Sequence, residues 1–570
     1  MGKWTRRAFI TAGVLTGGAL VVGVAIRPGN RANKVKGLVA GEGETVLNIW
    51  LKIGNDNVVT VIVPHAEMGQ GTHTTLPMML ADEMDADWTL VRMMEAPGNK
   101  EYANYALGEG FILGEMNYPS FLADTVNGLF LTVTKKMDLQ ITGGSASVRF
   151  TGMLAMRVAG AAARAVLLQA AADEWEVPLE ELSARNSYIS HEGSNRSATF
   201  ASFAAKAANL SQPVKPQLKD VSEFSLMGTS PARFDIPSKV DGSASFGIDV
   251  KLPDMKYAAI KAAPVFGATV TAVDDSAVSE MPGIHKIVRL ENAVAVVADG
   301  YWIAKTALEN IKISFSESGN EAVGQQDIYD QYTRDMEASA AAGDDKKDIK
   351  KGDAENVLSE ADNIIEAEYR VPYLAHATME PMNCTAHVTE GKCELWTGSQ
   401  NPLGFATNAA EILDLEPEQV VVHNQFLGGG FGRRVWPDVS EQAVRIAREV
   451  DFPVKLIWSR EEDMRHDFYR EANISRFKAA LDAEGKITAW NNQFLFKHDP
   501  EEAPHIPYDV DNQYIHYAQS DTHVPWGYWR SVDSSMHAFF TESFMDELAH
   551  NAKKDPYHFR REQLTKAPRY

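Results

Sequence analysis

The sequence predicts a multidomain α+β protein. At 570 residues the chain is too long for one hydrophobic core, so several domains are expected. Segments with strand-like alternation and segments with helical spacing of apolar residues follow one another in no fixed order, which is typical of mixed helices and sheets. Shifts in composition divide the chain into five regions: 1–40, 45–215, 235–316, 317–360 and 361–570.

The first region, 1–40, predicts an export signal or a membrane anchor. Residues 5–10 (TRRAFI) carry an arginine pair, and residues 8–26 form an uncharged, weakly hydrophobic stretch. This pattern resembles a twin-arginine signal, which exports proteins already folded. We expect a protein that is periplasmic or anchored facing the periplasm. An ordinary signal with a chance arginine pair is the alternative, and the poor cleavage-like site at 38–40 leaves an uncleaved anchor open.

The second region begins with two predicted strands, 46–53 and 57–64, joined by a turn. A helix is predicted at 74–84, where Pro77 is acceptable in the first turn. A long Ala-rich helix is predicted at 153–175.

The remaining regions predict one compact unit, one connector and one larger domain. Region 235–316 is an α+β unit with a strand at 294–298 and a helix at 301–310. Residues 316–351, rich in Ala, Ser, Asp and Lys, predict an exposed connector that belongs to the linker region 317–360. In the last region we expect strands at 420–424, 454–459 and 487–496, and helices at 405–414, 439–450 and 538–551.

Charge and cysteine content exclude two classes of partner. The formal net charge of −22 argues against nucleic acid, because basic faces supply most of that affinity. The chain has two cysteines, Cys384 and Cys393. Two thiols cannot hold an iron–sulfur cluster by themselves, so two structural thiols or one bridge are expected.

Three loops of small residues each run into a predicted helix. Bare amides and helix N-termini bind phosphates, so together the loops indicate a large phosphate-bearing ligand. No P-loop and no dinucleotide fingerprint is present, which argues against a flavin or nicotinamide dehydrogenase. Each loop alone could be structural. The loops are 65–73 (HAEMGQGTH), 142–147 (TGGSAS) and 426–434 (FLGGGFGRR).

Six ordered motifs resemble the molybdenum hydroxylase (xanthine dehydrogenase/aldehyde oxidase) family. The resemblance spans about 45–570 and lies in the large subunit that binds molybdopterin. It is closest to the isoquinoline 1-oxidoreductase β-subunit branch, in which the EMGQG loop precedes the GGGFG loop. The motifs are EMGQGTH at 67–73, KVDGSA at 239–244 with LPDM at 252–255, HATMEPMNC at 376–384, GSQNP at 398–402, GGGFGRR at 428–434 and WGYWRS at 526–531.

The resemblance implies a set of site residues. It places Gln70 against the pterin, Gln400 beside an oxygen ligand of molybdenum, and the main chain of Phe431 and Gly432 close to the metal. It places Arg530 where an arginine polarises substrate, so Arg530 and Gln400 are the implied catalytic residues. The other implied cofactor-binding residues are Gly69, Gly71, Gly144, Ser145, Ser147, Gly429, Gly430 and Arg433.

Several of these residues also have ordinary structural interpretations. Arg530 could be a surface arginine, Gln400 could be satisfied by backbone, and Arg433 with Arg434 could be a solvated pair. Of two further pairs, the first could be an acid–base pair, but a supporting role that orients the loop is favoured. The second could bind a metal, but its eight-residue spacing does not promise convergence, so no metal ligand is predicted from protein side chains. These pairs are His376 with Glu380, and His65 with His73.

The chain departs from the family pattern at two places. Val435 stands where purine-oxidising members have a glutamate, so purine oxidation is not expected. The family's general base, a glutamate in a C-terminal GxGE-type motif, has no counterpart, and Glu67 is the only nearby carboxylate that the motifs suggest. Either the chain is a fragment of a longer polypeptide, or it is a truncated, inactive cofactor-binding or assembly component.

The resemblance implies a catalytic subunit that hydroxylates an aldehyde or N-heteroaromatic carbon, with water as the source of oxygen. Its cofactor would be molybdopterin with molybdenum, in the cytosine dinucleotide form of the closest branch. Electrons would leave through a separate [2Fe–2S] subunit, with a cytochrome c as a further acceptor. Region 235–316 would be an inserted α/β hammerhead domain between the two molybdopterin-binding regions, 45–215 and 361–570.

Overall fold

The computed structural model describes residues 31–114, 122–278, 280–496 and 503–567. Within these ranges, helices and sheets are mixed, and the fold class is the predicted α+β class. The arginine pair and the apolar stretch of the predicted export signal lie outside the described residues.

The N-terminal unit packs helices against a four-stranded sheet. The sheet has the order β1-β2-β3-β4, with antiparallel pairs up to β3 and a parallel pair β3–β4. The predicted strand 46–53 is in fact two strands, because Asn48 Oδ1 accepts a hydrogen bond from Trp50 N and turns the chain. The elements are α1 (Ala32–Val39), β1 (Glu44–Asn48), β2 (Leu51–Gly54), β3 (Val59–Val63), α2 (Thr72–Met84), β4 (Val91–Glu95), α3 (Tyr105–Leu113) and α4 (Ala123–Lys136).

Helix α1 belongs to the fold, so the folded part begins earlier than the predicted boundary at residue 40. Val35 and Val39 are buried in the core of the N-terminal unit. Arg31 donates to Glu101 O at 2.6 Å, and Lys52 Nζ donates to Val39 O at 2.7 Å. Cleavage at 38–40 would remove these contacts.

The predicted helix 153–175 begins earlier and changes its pitch. A π-helix, Ser147–Met156, continues directly into α5 (Arg157–Trp175). It packs closely on α2, since a Cβ at Gly152 would lie 2.6 Å from Met79 Sδ. The joined helix is apolar and long enough to span a membrane, but 67% of its most apolar window is buried inside the protein. It is therefore a core helix. A small sheet completes this unit: β5 (Leu182–Arg185), β6 (Tyr188–His191) and β7 (Arg196–Thr199), followed by α6 (Phe200–Ala207).

Region 235–316 has the predicted strand and helix, and its strands also join a larger sheet. Its strands continue into a seven-stranded sheet of order β10-β11-β8-β18-β15-β16-β17, in which β8 pairs with β18 in parallel. A two-stranded sheet, β12-β9, lies beside it. The elements are α7 (Ile236–Asp241), β8 (Lys256–Ala262), β9 (Val270–Asp274), β10 (Ile284–Arg289), β11 (Ala293–Ala298), α8 (Tyr301–Asn310) and β12 (Lys312–Phe315).

The strands of the last region that join this sheet surround the GSQNP and GGGFG motifs. Strand β16 pairs with β17 in parallel, and the pairing ends at Thr397 and Asn424. Both cysteines lie buried on β15 and β16 as free thiols, so the alternative of a bridge is wrong. The elements are β15 (Asn383–Thr389), β16 (Lys392–Thr397), α11 (Pro402–Leu413), β17 (Val420–Asn424), α12 (Asp438–Ala447), β18 (Val454–Ile457) and α13 (Arg460–Arg465).

The predicted exposed connector is wrong, because it forms part of a five-stranded sheet of order β13-β21-β20-β19-β14. Its long helix buries Ile328, Tyr332 and Met336, an apolar stripe at spacings of four that the polar composition conceals. The elements are α9 (Gln325–Ala342), β13 (Lys346–Lys351), α10 (Ala354–Glu360), β14 (Ile364–Val371), β19 (Asn473–Leu481), β20 (Ile487–Leu495), β21 (Asn512–Ala518), α14 (Ser534–Asn551) and α15 (Pro556–Glu562).

Candidate functional site

Gln400 joins two of the three small-residue loops. Its Nε2 donates to Thr142 O at 3.0 Å, and its Oε1 accepts from Gly432 N at 3.1 Å. Its main chain repeats the pattern, since Thr142 N donates to Gln400 O and Gln400 N donates to Arg434 O, each at 2.8 Å. The side chain is buried. The loop 142–147 and the loop 428–434 are therefore held together by one residue.

The third loop, 65–73, is attached at the same place. Ala66 N donates to Thr142 Oγ1 at 2.9 Å. A Cβ at Gly430 would lie 2.6 Å from Gln400 Oε1 and 2.8 Å from Met68 Sδ, closer than Cβ atoms approach in real proteins. The three loops therefore converge, and only glycine fits where they touch.

Glu67 organises the 65–73 loop from inside. Its buried carboxylate accepts hydrogen bonds from Gly69 N (2.8 Å), Gly71 N (3.0 Å) and His73 N (3.1 Å), and Arg233 Nη2 lies 3.1 Å away. The carboxylate thus occupies the N-terminus of α2, where a negative charge is favourable. The amides of Gly69 and Gly71, predicted to face the cofactor, are bound by Glu67.

Gln70 is the exposed tip of this loop. Its Oε1 accepts from Met68 N at 2.7 Å, and its Nε2 donates to Ala66 O at 2.8 Å. Gly69 beside it has positive φ and open space around its Cβ position. The loop therefore exposes Gln70 and Gly69, and a ligand could contact both.

The 142–147 loop offers open amides at the start of a long helix. Gly143 N donates to Ser147 Oγ at 3.0 Å, and Ser147 N donates to Gly144 O at 3.2 Å. In the part of the chain that the structure describes, the amides of Gly144 and Ser145 have no acceptor. Space is open at the Cβ positions of both glycines. Of the three loops, this one is best suited to an anionic group.

Residues 428–432 pack tightly against neighbouring segments, and one of them has an unusual backbone conformation. A Cβ at Gly428 would overlap Glu380, and one at Gly432 would overlap Tyr528 O. Phe431 has φ of +56°, which is uncommon for a residue with a side chain. Within the described ranges, the amides of Gly430 and Phe431 have no acceptor.

The two arginines after this loop are buried, so the interpretation as a solvated pair is wrong. Arg434 Nη2 lies 3.0 Å from Glu380 Oε2, and its Nε donates to Gly429 O at 2.8 Å. Arg433 makes a two-pronged pair with Asp438 at 2.9 and 2.7 Å. Burial lowers the pKa of Arg434 below its usual value despite the nearby carboxylate. Both guanidinium groups are engaged with carboxylates that brace the loop.

His376 and Glu380 support the loop rather than form an acid–base pair. His376 Nδ1 lies 2.9 Å from Asp467 Oδ1, and its Nε2 hydrogen-bonds Tyr528 O at 2.9 Å. Burial alone would raise the pKa of Asp467, but hydrogen bonding to His376 and the charge of Arg433 lower it. The supporting role favoured from the sequence is confirmed.

The segment 526–530 lies beside Gly432 and is rich in aromatic rings. Trp436 stacks on Phe468 with ring centroids 4.9 Å apart, and on Tyr528 at 6.3 Å. A cavity of about 10 Å³, room for about one water, lies behind the segment. Val435, at the position of the missing purine-binding glutamate, is half-buried nearby.

Arg530 is exposed at the end of this segment. The two residues after it, Ser531 and Val532, have φ of +64° and +50°. Such a conformation is a genuine outlier for a β-branched residue. Backbone strain of this kind clusters at functional sites, and Phe431 on the neighbouring loop carries it too.

His65 and His73 do not converge on a common point. His73 Nε2 hydrogen-bonds His65 O at 2.8 Å, and His65 Nε2 contacts Thr151 Oγ1 at 2.8 Å. Burial lowers the pKa of His65 to about 3. Among the described residues, no three His, Cys, Asp or Glu side chains are arranged to hold a metal ion.

Several residues of the site were not found from the sequence. Asp467, Arg233 and Asn424 lie outside the motifs, and Thr142 is only the first residue of the loop 142–147. Their roles depend on contacts between distant segments. Among these residues, a sequence signal existed only for Thr142, because it immediately precedes the two glycines at 143–144.

Comparisons with known proteins agree with this geometry. A family model described as "Molybdopterin cofactor-binding domain" matches residues 337–564, which include Gln400 and the GGGFG loop. The chain is 28% identical over 629 residues to isoquinoline 1-oxidoreductase subunit beta of Brevundimonas diminuta, covering 100% of this chain and 76% of the relative. The chain is therefore similar to the molybdopterin-binding subunits of the molybdenum hydroxylase family. The resemblance of the six motifs is thereby confirmed.

Other relatives differ in their names and lengths. The chain is 29% identical over 609 residues to the membrane-bound aldehyde dehydrogenase (pyrroloquinoline-quinone) of Gluconacetobacter polyoxogenes, covering 98% of this chain and 72% of the relative. Among solved structures, quinoline 2-oxidoreductase from Pseudomonas putida 86 superposes with a TM-score of 0.49 at 18% identity, over 59% of this chain and 50% of that one. The chain spans about half of that solved structure.

Proposed function

We propose that this chain is the molybdenum-cofactor-binding catalytic subunit of an oxidoreductase that hydroxylates an aldehyde or an N-heteroaromatic carbon. The observation that carries the proposal is the position of Gln400, which bonds two small-residue loops and touches the glycine that meets the third. Such convergence is what a single large ligand held by main-chain amides requires.

The residues present fit a molybdopterin. The open amides of Gly144, Ser145, Gly430 and Phe431 would hold its anionic and polar groups. Gln70 and the bare Gly69 form an exposed edge for the pterin. The cofactor supplies its own sulfur ligands, which agrees with a site that contains no thiolate among the described residues. When bound, it supplies two-electron oxidation of a carbon with water as the source of oxygen.

The surroundings favour a flat or apolar substrate. Tyr528 lies against Gly432, Trp526 packs edge-on against Tyr528, and Trp436 stacks on Tyr528. Exposed Arg530 would place a guanidinium where negative charge develops on a carbonyl oxygen or ring nitrogen. Two of the relatives, named for isoquinoline and for aldehydes, support the same two substrate classes.

A second candidate is a cofactor-binding component without turnover. Among the residues that the structure describes, Glu67 and Glu380 accept hydrogen bonds from main-chain amides of the loops, and both are saturated. Glu67 accepts from three amides and pairs with Arg233, while Glu380 accepts from Ile248 N, Gly428 N and Asn383 Nδ2. Neither is free to act as a general base, a role typically worth two to four orders of magnitude in rate.

Export and electron transfer belong to the same proposal. The arginine pair at 5–10 supports export of the folded, loaded protein by the twin-arginine route. A relative named as a subunit β supports a multi-subunit enzyme. The electrons would pass to a separate [2Fe–2S] subunit and from there to a cytochrome c, and the pterin would carry a cytosine dinucleotide.

The test is chemical analysis of the full chain purified from a host that makes molybdenum cofactor. We expect about one molybdenum and one pterin per chain, and reduction of a dye by aldehydes or N-heteroaromatics. Bound pterin without turnover of either substrate class would favour the second candidate. A chain that holds pyrroloquinoline quinone, or neither cofactor, would contradict both.

A further inference from the structure

The turn that carries Gln400 is held by a side chain from a neighbouring strand. Strands β16 and β17 stop pairing at Thr397 and Asn424, just before this turn. The carboxamide of Asn424 then takes over as pairing partner: its Oδ1 accepts from Ser399 N at 2.7 Å and its Nδ2 donates to Ser399 O at 3.0 Å. Both main-chain groups of the residue before Gln400 are thus fixed.

The residue after Gln400 is fixed as well. Asn401 N donates to Ser399 Oγ at 2.9 Å, and Asn401 Oδ1 accepts from Gln140 N at 3.0 Å. The direction of the Gln400 side chain therefore depends on two clamped neighbours. Both clamps use a side-chain amide, and the carboxamide of Asn424 makes both bonds to Ser399, so rotation of that group would break both.

Glu95, at the end of β4, opposes that rotation. Its Oε1 accepts the second N–H of Asn424 Nδ2. If the carboxamide flipped, its oxygen would face Ser399 O and its NH₂ group would face Ser399 N, and Glu95 Oε1 would lose the N–H that it accepts. The bond to Glu95 therefore adds to the bonds with Ser399 in favouring the observed orientation of Asn424.

The surroundings of Glu95 link the clamp to the third loop. Its Oε2 lies 3.8 Å from Nε2 of His73 on α2. Burial, with the negative charge of Glu67 nearby, raises the pKa of Glu95 to about 8. Glu95, whose side chain is 23% exposed, thus connects the N-terminal unit to the turn before α11.

We propose that Glu95 and Asn424 are positioning residues for Gln400. They hold the Ser399 turn so that the Gln400 carboxamide reaches Thr142 O and Gly432 N. The consequence for turnover rests on the proposed function, but the clamp itself is a property of the chain and can be measured without cofactor.

The experiment is hydrogen exchange by mass spectrometry on peptides that cover 397–402 and 428–434. Asn424→Ala removes both bonds to Ser399, and each buried bond is worth about 1 kcal/mol, so exchange should accelerate about 10-fold or more. Glu95→Ala should accelerate it less, about 3- to 10-fold. Glu95→Gln keeps an acceptor oxygen for Asn424 and should stay within about 2-fold of wild type.

The matched control is Asn356→Ala, since Asn356 Nδ2 contacts Glu360 Oε1 at 3.3 Å on the exposed helix α10. It should leave both peptides unchanged. Unchanged exchange in Asn424→Ala and Glu95→Ala, or a Glu95→Gln variant as fast as Glu95→Ala, would overturn the proposal. If Asn424→Ala does not fold, the comparison of the two Glu95 variants decides it, because Glu95 lies at a partly exposed edge.

In cofactor-loaded protein, kcat and KM of the same variants distinguish a role in positioning Gln400 from a role in substrate binding. We expect Asn424→Ala to lower kcat at least 10-fold with KM within 2-fold, and Glu95→Gln to restore most of it. A matching rise in KM with unchanged kcat would overturn a positioning role. Wild-type protein that holds no pterin would refute the proposed function and leave the exchange experiment still able to decide on the clamp.

Discussion

Removal of the Gln400 side chain tests how firmly the loops are held together. In Gln400→Ala, Thr142 O and Gly432 N each lose a partner, at 3.0 and 3.1 Å in the native protein. An unpaired buried polar group costs about 1–3 kcal/mol. Two of them should lower the free energy of local opening by about 2–6 kcal/mol, so exchange should be at least about 30-fold faster.

The assay is hydrogen exchange of peptides covering 140–147 and 428–434, with and without the substitution. Gln169→Ala is the matched control, because Gln169 Nε2 donates to Asp173 Oδ1 at 2.7 Å on an exposed helix surface. Such surface pairs contribute only about 0.2–0.5 kcal/mol. Acceleration below about 3-fold in both loop peptides of Gln400→Ala would refute the claim that this residue joins them.

Three further predictions concern packing, acidity and the N-terminus. Gly430→Ala places a Cβ 2.6 Å from Gln400 Oε1, so we expect a loss of about 1–3 kcal/mol in denaturant unfolding. His65 has a folded-state pKa of about 3 against an ordinary 6.5, so the unfolded state takes up the proton first as the pH falls. Stability should drop between those values, by about 2–3 kcal/mol at pH 4.5, and His65→Gln should remove that part of the drop. The chain without residues 1–40 should melt several degrees below the chain without residues 1–30, because α1 is lost.

Controls and contrary outcomes are available for each of these. Gly300→Ala has open space around the new Cβ and should change stability by less than about 1 kcal/mol; an equal loss at Gly430 would show that the loops can adjust. Equal acid sensitivity of wild type and His65→Gln would place the titrating group elsewhere. Identical melting temperatures for the two deletions would mean that α1 adds nothing to the fold.

Local elements were predictable where one short signal decides them. Helix α2 was found within two residues of its start, since the strand, glycine loop and Pro77 all indicate it. Strand β17 was found at its observed bounds, 420–424. Local signals fail when pairing partners are distant: β8 joins β18 across about two hundred residues, so region 235–316 could not be recognised as part of a shared sheet.

The site was predictable where backbone freedom shows in the sequence. Glycine runs marked the three loops, and the family resemblance singled out Gln400. The sequence does not show which partner each group takes. Glu67 and the two buried arginines hold these loops through charged hydrogen bonds inside the protein. From the sequence alone, a Glu or an Arg-Arg pair cannot be assigned to the surface or to the core. Asn424 and Glu95 carry no motif at all.

The most direct test of the central claim is hydrogen exchange of the full chain with and without bound molybdopterin. We predict protection on cofactor binding in peptides that cover 65–73, 142–147 and 428–434, together and in no other large region. Strand β13, at the far edge of the five-stranded sheet, should exchange equally in both states. Protection of only one loop, or of surfaces away from Gln400, would contradict a single cofactor held by all three.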